Sequence, residues 1–187
     1  VIPKNRPQQK RDQTLAQLKA ANVSDPVCLV GIRGYYRDSM GAKGKNDRGL
    51  YDDAIILVSA NAHVAFNANV DPAASGFNPK ARKGYASLKP GVWRYRLGKH
   101  GIRSGNPYKA LVQADAVTVQ RDGGQEETGY FGINIHRGGI TRTNSEGCQT
   151  LPPAQWPAFI SLVESEMRRN NAKTVSYVLT HPRKDIS

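Results

Sequence analysis

Acidic side chains are scarce in this 187-residue chain: 15 Asp and Glu face 27 Lys and Arg, a formal charge of +12. Such a surplus favours a polyanionic partner, whether nucleic acid, anionic lipid or a cell envelope. No run of about 18 apolar residues occurs, which excludes a membrane-spanning helix. Val1 to Gln13 is polar and basic with no apolar stretch behind it, so no signal peptide is visible there. With 2 cysteines the chain is no disulfide scaffold. The four histidines (His63, His100, His136, His181) show no metal-ligand spacing, so no metal and no cofactor is expected. Zinc-finger spacing, aromatic RNA-binding motifs and a recognition helix are all missing, so the charge speaks for non-specific attraction, not specific nucleic-acid recognition. Gly31-Ile32-Arg33-Gly34 lacks a following Lys-Ser/Thr step and is not a phosphate loop.

What is present suits a mixed α+β, mainly β fold: 39% hydrophobic residues and 18 glycines. Residues 1–25 read as a flexible basic arm and a short helix over Gln13–Ala21, capped by Asp12, with Leu15 and Leu18 on one face. Residues 26–187 read as one domain. Its expected strands are Val27–Ile32, Ala54–Ser59, Val64–Phe66, Val92–Leu97, Ala110–Val119, Tyr130–His136 and Val175–Leu179. Gly123-Gly124 is the turn expected before Tyr130. Two long loops, Arg37–Gly49 and Asp71–Gly84, are candidates to line a groove. Trp156, Phe159, Ile160, Val163 and Met167 fall at helical spacing and predict a core-facing helix, with Pro157 in its first turn.

The chemistry concentrates in two neighbouring stretches. Ile133-Asn134-Ile135-His136 alternates, which puts His136 and Asn134 on the face opposite the isoleucines. Twelve residues on, Ser145-Glu146-Gly147-Cys148 places a thiol in a small-residue turn. A thiol attacks carbonyls as the thiolate, and an adjacent imidazole is the usual means of producing one. Cys28, inside the apolar Val27-Cys28-Leu29-Val30, reads instead as a small buried side chain.

His136 with Gly138, then Ser145-Glu146-Gly147-Cys148, resembles the signature of the L,D-transpeptidase (YkuD-like) catalytic domain family, cysteine enzymes of peptidoglycan. Leu88-Lys89-Pro90-Gly91-Val92-Trp93-Arg94-Tyr95 looks like that family's strand entering the catalytic sheet. A helix and a last strand over Leu151 to Val178 match its ending. The likeness covers roughly residues 85 to 180. Two features depart from the family: a shorter His136–Cys148 loop, and Glu146 where a second His is usual. Both look like phage and prophage variants.

The resemblance implies a β-sandwich or barrel core with one C-terminal helix after the cysteine. It implies Cys148 as nucleophile, His136 as general base, and backbone N–H groups around Gly147 and Cys148 for the oxyanion. The Arg137 carbonyl would orient the imidazole, and its guanidinium would clamp a substrate carboxylate. Ser145, Glu146, Asn134 and His100 are the candidate substrate-binding residues. Ser145 reads equally as a turn hydrogen bond, and Glu146 as a binder of a diaminopimelate ammonium or a partner of Arg137 or Arg142. The implied substrate is a peptidoglycan stem peptide, cut at an L,D (diaminopimelate–D-Ala) bond with hydrolysis favoured. A place in the cell envelope or periplasm, or with a phage as a lysin, goes with it, the basic surface meeting acidic envelope polymers. Crosslinking, and a non-catalytic envelope-binding or virion role, are the alternatives.

Overall fold

The computed structural model describes residues 2–181. Residue 1 and residues 182–187 of the expected segments lie outside the described residues. The chain runs through α1 (Arg11–Ala20), β1 (Val27–Ile32), β2 (Asp53–Ser59), β3 (His63–Ala68), β4 (Phe77–Asn78), β5 (Lys83–Gly84) and β6 (Ala86–Leu88). There follow β7 (Gly91–His100), β8 (Tyr108–Gln113), β9 (Val117–Arg121), β10 (Glu126–Gly129), β11 (Ile135–Arg137), β12 (Gln149–Leu151), α2 (Trp156–Arg169) and β13 (Val175–Thr180).

Eight strands form one sheet in the order β12-β11-β8-β7-β13-β1-β2-β3. Its two ends meet where Asn69, just past β3, exchanges both backbone bonds with Thr150 of β12, at 2.8 Å each. The sheet is therefore a near-closed, barrel-like ring. β10-β9-β6 forms a second, three-stranded sheet, and β4 pairs with β5.

β1 and β2 are buried along their whole length, and both read as continuous apolar runs because both faces are covered. The inner face carries Leu29, Ile55 and Leu57 into the core shared with Phe159, Val163 and Met167 of α2. The outer face carries Cys28, Val30, Ile56 and Val58 beneath Leu18 of α1. Phe159 meets Phe66 edge-on at 5.3 Å, which seats α2 against the sheet. Gly31 leaves room for the Tyr177 ring: a Cβ there would fall 2.1 Å from its hydroxyl oxygen.

Several boundaries differ from expectation for local reasons. The segment Ala110–Val119 is two strands, since β8 lies in the large sheet and β9 in the small one. Gly123-Gly124 turns β9 into β10, and of the stretch Tyr130–His136 only Ile135 and His136 are in a strand, β11. In α1, Asp12 sits in the first turn while Gln13 Oε1 accepts from Lys10 N (2.9 Å). Leu15 points outward, and Thr14 is buried against His63 Nε2 at 2.9 Å.

The N-terminal arm is docked. The Asn5 carbonyl accepts from the Tyr36 hydroxyl (2.9 Å) and Asn67 Nδ2 (3.1 Å), and the Arg6 guanidinium lies 4.8 Å over the Phe66 ring. The first long loop is tied down as well, by Asn46 Nδ2 on Asp71 (2.5 Å) and Arg48 on Asp122 (2.6 Å). No helix among the described residues is long and apolar enough to cross a membrane.

Candidate active site

Cys148 immediately precedes β12, and the turn that delivers it is locked by Ser145. The buried Ser145 hydroxyl accepts from Gly147 N (3.0 Å) and donates to the Cys148 carbonyl (2.6 Å). With both functions of the hydroxyl used inside the turn, Ser145 is a turn residue and has no hydroxyl proton to offer a substrate. The same bond engages the Gly147 N–H expected at the oxyanion. Gly147 sits at φ +144°, and a Cβ there would fall 2.5 Å from the Ala86 carbonyl oxygen. Only glycine fits.

β11 runs parallel to β12, with Ile135 opposite Gln149 and His136 opposite Thr150. That pairing brings the imidazole and the thiol to one cleft. His136 Nδ1 lies 2.8 Å from the Arg137 carbonyl oxygen, which can only accept, so the proton sits on Nδ1 and Nε2 keeps its lone pair. The Tyr108 hydroxyl braces the same corner, 3.1 Å from Nδ1 and 3.3 Å from the Arg137 oxygen. The Arg137 guanidinium lies over the Tyr108 ring at 5.0 Å and is not among the groups lining the cleft, so the expected carboxylate clamp has no footing there.

Cys148 Sγ accepts from Asn134 N (3.4 Å) and donates to the Gly132 carbonyl (3.3 Å). Burial pushes this thiol up to about 11, with the Asn134 N–H opposing and the Glu146 charge adding to the rise. Burial pushes His136 down to about 4, the His100 ring adding to the drop and the Arg137 carbonyl opposing it. The thiol and the imidazole that line this cleft both rest neutral, the S–H directed at the Gly132 carbonyl and not at His136.

Gln113 was not legible in the sequence. Its Oε1 accepts three successive backbone N–H groups, from Phe131 (3.2 Å), Gly132 (3.1 Å) and Ile133 (3.2 Å). Its Nε2 donates to the carbonyls of Asp115 (2.9 Å) and Gly129 (2.8 Å). One side chain thus shapes the loop whose Gly132 carbonyl and Asn134 N–H hold the thiol. Apart from the bond to Asp115, these bonds span 16 to 20 residues, and no local pattern announces them.

The cleft has a volume of about 790 Å³. Its walls include His100, Asn134, His136, Glu146 and Cys148, with Ile102 and Tyr130 as largely exposed apolar groups. Of its charged lining residues, Lys80, Lys99, Arg103 and Arg121 oppose Glu146 alone. Glu146 pairs with Lys80 (2.7 Å), not with Arg137 or Arg142, and Asn78 Nδ2 lies 3.5 Å away; Lys80 holds its carboxyl below the usual range. Asn78, Lys80 and Ala81 come from the second long loop, whereas Arg37–Gly49 contributes nothing to this cleft.

Cys28 lies apart, 1% exposed, its S–H directed at the Asp25 carbonyl (3.2 Å) and its thiol pushed by burial to about 11. Among the described residues no group of three or more His, Cys, Asp or Glu is placed to hold a metal.

Comparison with protein-family models, with curated proteins and with solved structures finds no match to this chain.

Proposed function

We propose that this protein is a cysteine enzyme of the L,D-transpeptidase type that acts on peptidoglycan stem peptides, with hydrolysis as its main outcome. The observation that carries the reading is the convergence of Cys148 and a His136 whose Nδ1–H is fixed by the Arg137 carbonyl. That bond leaves Nε2 as the one ring nitrogen able to take a proton.

In this reading Sγ attacks the carbonyl carbon of an L-centre next to a D-residue while His136 Nε2 takes the thiol proton. Because thiol and imidazole rest neutral, proton transfer accompanies the attack and does not precede it. The carbonyl electron pair moves onto oxygen, where the Cys148 N–H is the remaining donor of the expected pair. Collapse returns that pair, and His136 gives its proton to the departing D-alanine amine. Water, deprotonated by the same Nε2, then attacks the thioester carbonyl; the C–S bond breaks and the departing sulfur regains its proton from His136. The short chain between His136 and Cys148 leaves little to roof an acceptor amine, which favours water.

Substrate charge fits the cleft. Lys80 is paired with Glu146 and Arg121 with Glu127, which leaves Lys99 and Arg103 to suit a ligand that carries carboxylates, as a diaminopimelate-containing stem does. The same basic character supports a place in the cell envelope or periplasm, or delivery with a phage, where acidic polymers surround the substrate. A non-catalytic, envelope-binding role is favoured by one observation: both shifts, thiol up and imidazole down, oppose a resting thiolate.

Mass spectrometry of purified muropeptides after incubation decides between them. The expected result is loss of D-alanine from tetrapeptides, or scission at that position, with few new dimers. Dimers as the main product overturn the hydrolase reading and leave the Cys148 chemistry standing. Unchanged muropeptides remove the enzyme reading.

A further inference from the structure

His100 closes β7 and faces Tyr108 of β8 across the ladder. Its ring lies flat on His136, with 3.8 Å between centroids and 10° between planes, and meets Tyr108 at 5.7 Å and 61°. On its other side, His100 Nδ1 is 3.3 Å from Asn134 Nδ2.

These contacts determine where the protons sit. The backbone N–H of Gln113 donates to Asn134 Oδ1 (3.1 Å), and a main-chain N–H can do nothing else. Asn134 therefore presents Nδ2 to His100, Nδ1 of His100 is the acceptor, and its proton is on Nε2. His136 has the complementary form, Nδ1–H against the Arg137 carbonyl. Two neutral rings of opposite tautomer are stacked face to face. A further proton is poorly placed on either one. On His100 it would set N–H against the Asn134 NH2, and reversing that amide would forfeit the Gln113 bond. On His136 it would put a cation in a site 4% exposed, with one ring face covered.

We propose that His100 is a positioning residue: clasped by Asn134 in its Nε2–H form, it covers one face of the His136 ring and keeps Nε2 of His136 free for the Cys148 proton. This rests on the acyl-transfer reading above. His100 exchanges no proton with substrate. It makes the imidazolium formed during attack short-lived, so that His136 readily returns its proton to the leaving amine. The titratable and charged groups around the stack are Tyr108 from β8, Cys148 and Glu146 from the turn before β12, and Arg137, whose guanidinium covers Tyr108. Lys80, Lys99, Arg103 and Arg121 line the same cleft, Lys80 paired with Glu146 and Arg121 with Glu127.

The test is an NMR titration of the histidine rings in the intact protein, assigned by substitution, for the wild type, His100→Ala and His100→Phe. His136 should titrate near 4 in the wild type. In His100→Ala, with the ring face open to water, the midpoint should rise by about one pH unit or more toward the ordinary histidine value. His100→Phe keeps the face covered and should hold the midpoint low. Nitrogen shifts should place the wild-type proton on Nε2 of His100 and on Nδ1 of His136. A His136 midpoint unmoved in His100→Ala, or a wild-type His100 protonated on Nδ1, overturns the proposal. The titration needs no turnover, so muropeptides that stay unchanged while the midpoint shifts would sink the enzyme reading alone. If muropeptides are cut, the acid limb of kcat/KM should move up in His100→Ala; an unmoved limb would sink the positioning role alone.

Discussion

A side chain at residue 147 would collide with the carbonyl of Ala86: the Cβ would sit 2.5 Å from that oxygen and 2.9 Å from Ile133 Cδ1. β6 of the small sheet thus presses on the turn that carries the thiol. Gly147→Ala adds this clash to a backbone at φ +144°. We expect a loss of about 1–3 kcal/mol of stability and a fall in turnover of at least about tenfold. Thermal melting and muropeptide turnover together check it; an active, normally stable variant would mean the turn is free to move.

The two cysteines should behave oppositely. Cys148→Ala should abolish turnover with melting nearly unchanged, because the thiol lies in a turn and not in the apolar stack. Cys28→Ala should cost about 1–3 kcal/mol of stability and leave the rate alone. If Cys28→Ala silences a folded sample, the thiols have been assigned the wrong roles.

With the Cys148 thiol pushed to about 11, iodoacetamide labelling of this residue should quicken about tenfold per pH unit between pH 7 and 10. A plateau reached by pH 6 would reveal a resting ion pair with His136.

Gln113→Leu removes the acceptor of three N–H groups while keeping the approximate volume. Leaving such donors unsatisfied costs about 1–3 kcal/mol each where they stay dry. The variant should lose stability and, through the Gly132–Asn134 loop, lose turnover out of proportion to the fraction unfolded. Activity that simply tracks the folded fraction would confine Gln113 to a structural part.

Asp52 is fully buried, with Oδ2 accepting from Asp47 N (2.9 Å) and Oδ1 unpartnered among the described residues. Burial pushes its carboxyl from 3.8 up to about 6, with Asp47 and Asp71 adding to the rise and backbone N–H groups opposing it. The native state therefore holds this proton more tightly than the unfolded chain. Its contribution to stability is fully present below pH 3.8 and is lost as pH rises to about 6. Asp52→Asn should match the wild type near pH 3 and exceed it by about 1–3 kcal/mol at pH 7. Denaturant melts at the two pH values check the sign; an advantage confined to low pH would reverse it.

Much of the frame was legible because its signals are local. The runs Val27–Ile32 and Ala54–Ser59 and the stripe Trp156–Met167 all follow from apolar patterns within single segments. The misreadings came from partners far along the chain. Ala110–Val119 looks like one strand, yet the ladder to β7 ends with Ala114 N on the Arg94 carbonyl (2.9 Å), and from Val117 the chain pairs in the small sheet. The basic arm looks free because Asn67 and Phe66, which help to hold it, lie 62 and 60 residues from Asn5 and Arg6. Glu146 met Lys80 and not a nearer arginine, since the second long loop folds across the cleft. His100 was placed at the site, but no sequence spacing foretells its stack on a ring 36 positions on.

β13, the last strand among the described residues, lies between β7 and β1, with Cys28 facing Ser176. A chain still emerging from the ribosome can assemble β1 to β3 early, but those strands must wait, exposed along one edge, for a neighbour almost 150 residues downstream. Closing so long a loop is slow and entropically costly. The catalytic pair should therefore come into being late, and a stalled or truncated product should offer an open β1 edge to aggregation before it offers any chemistry.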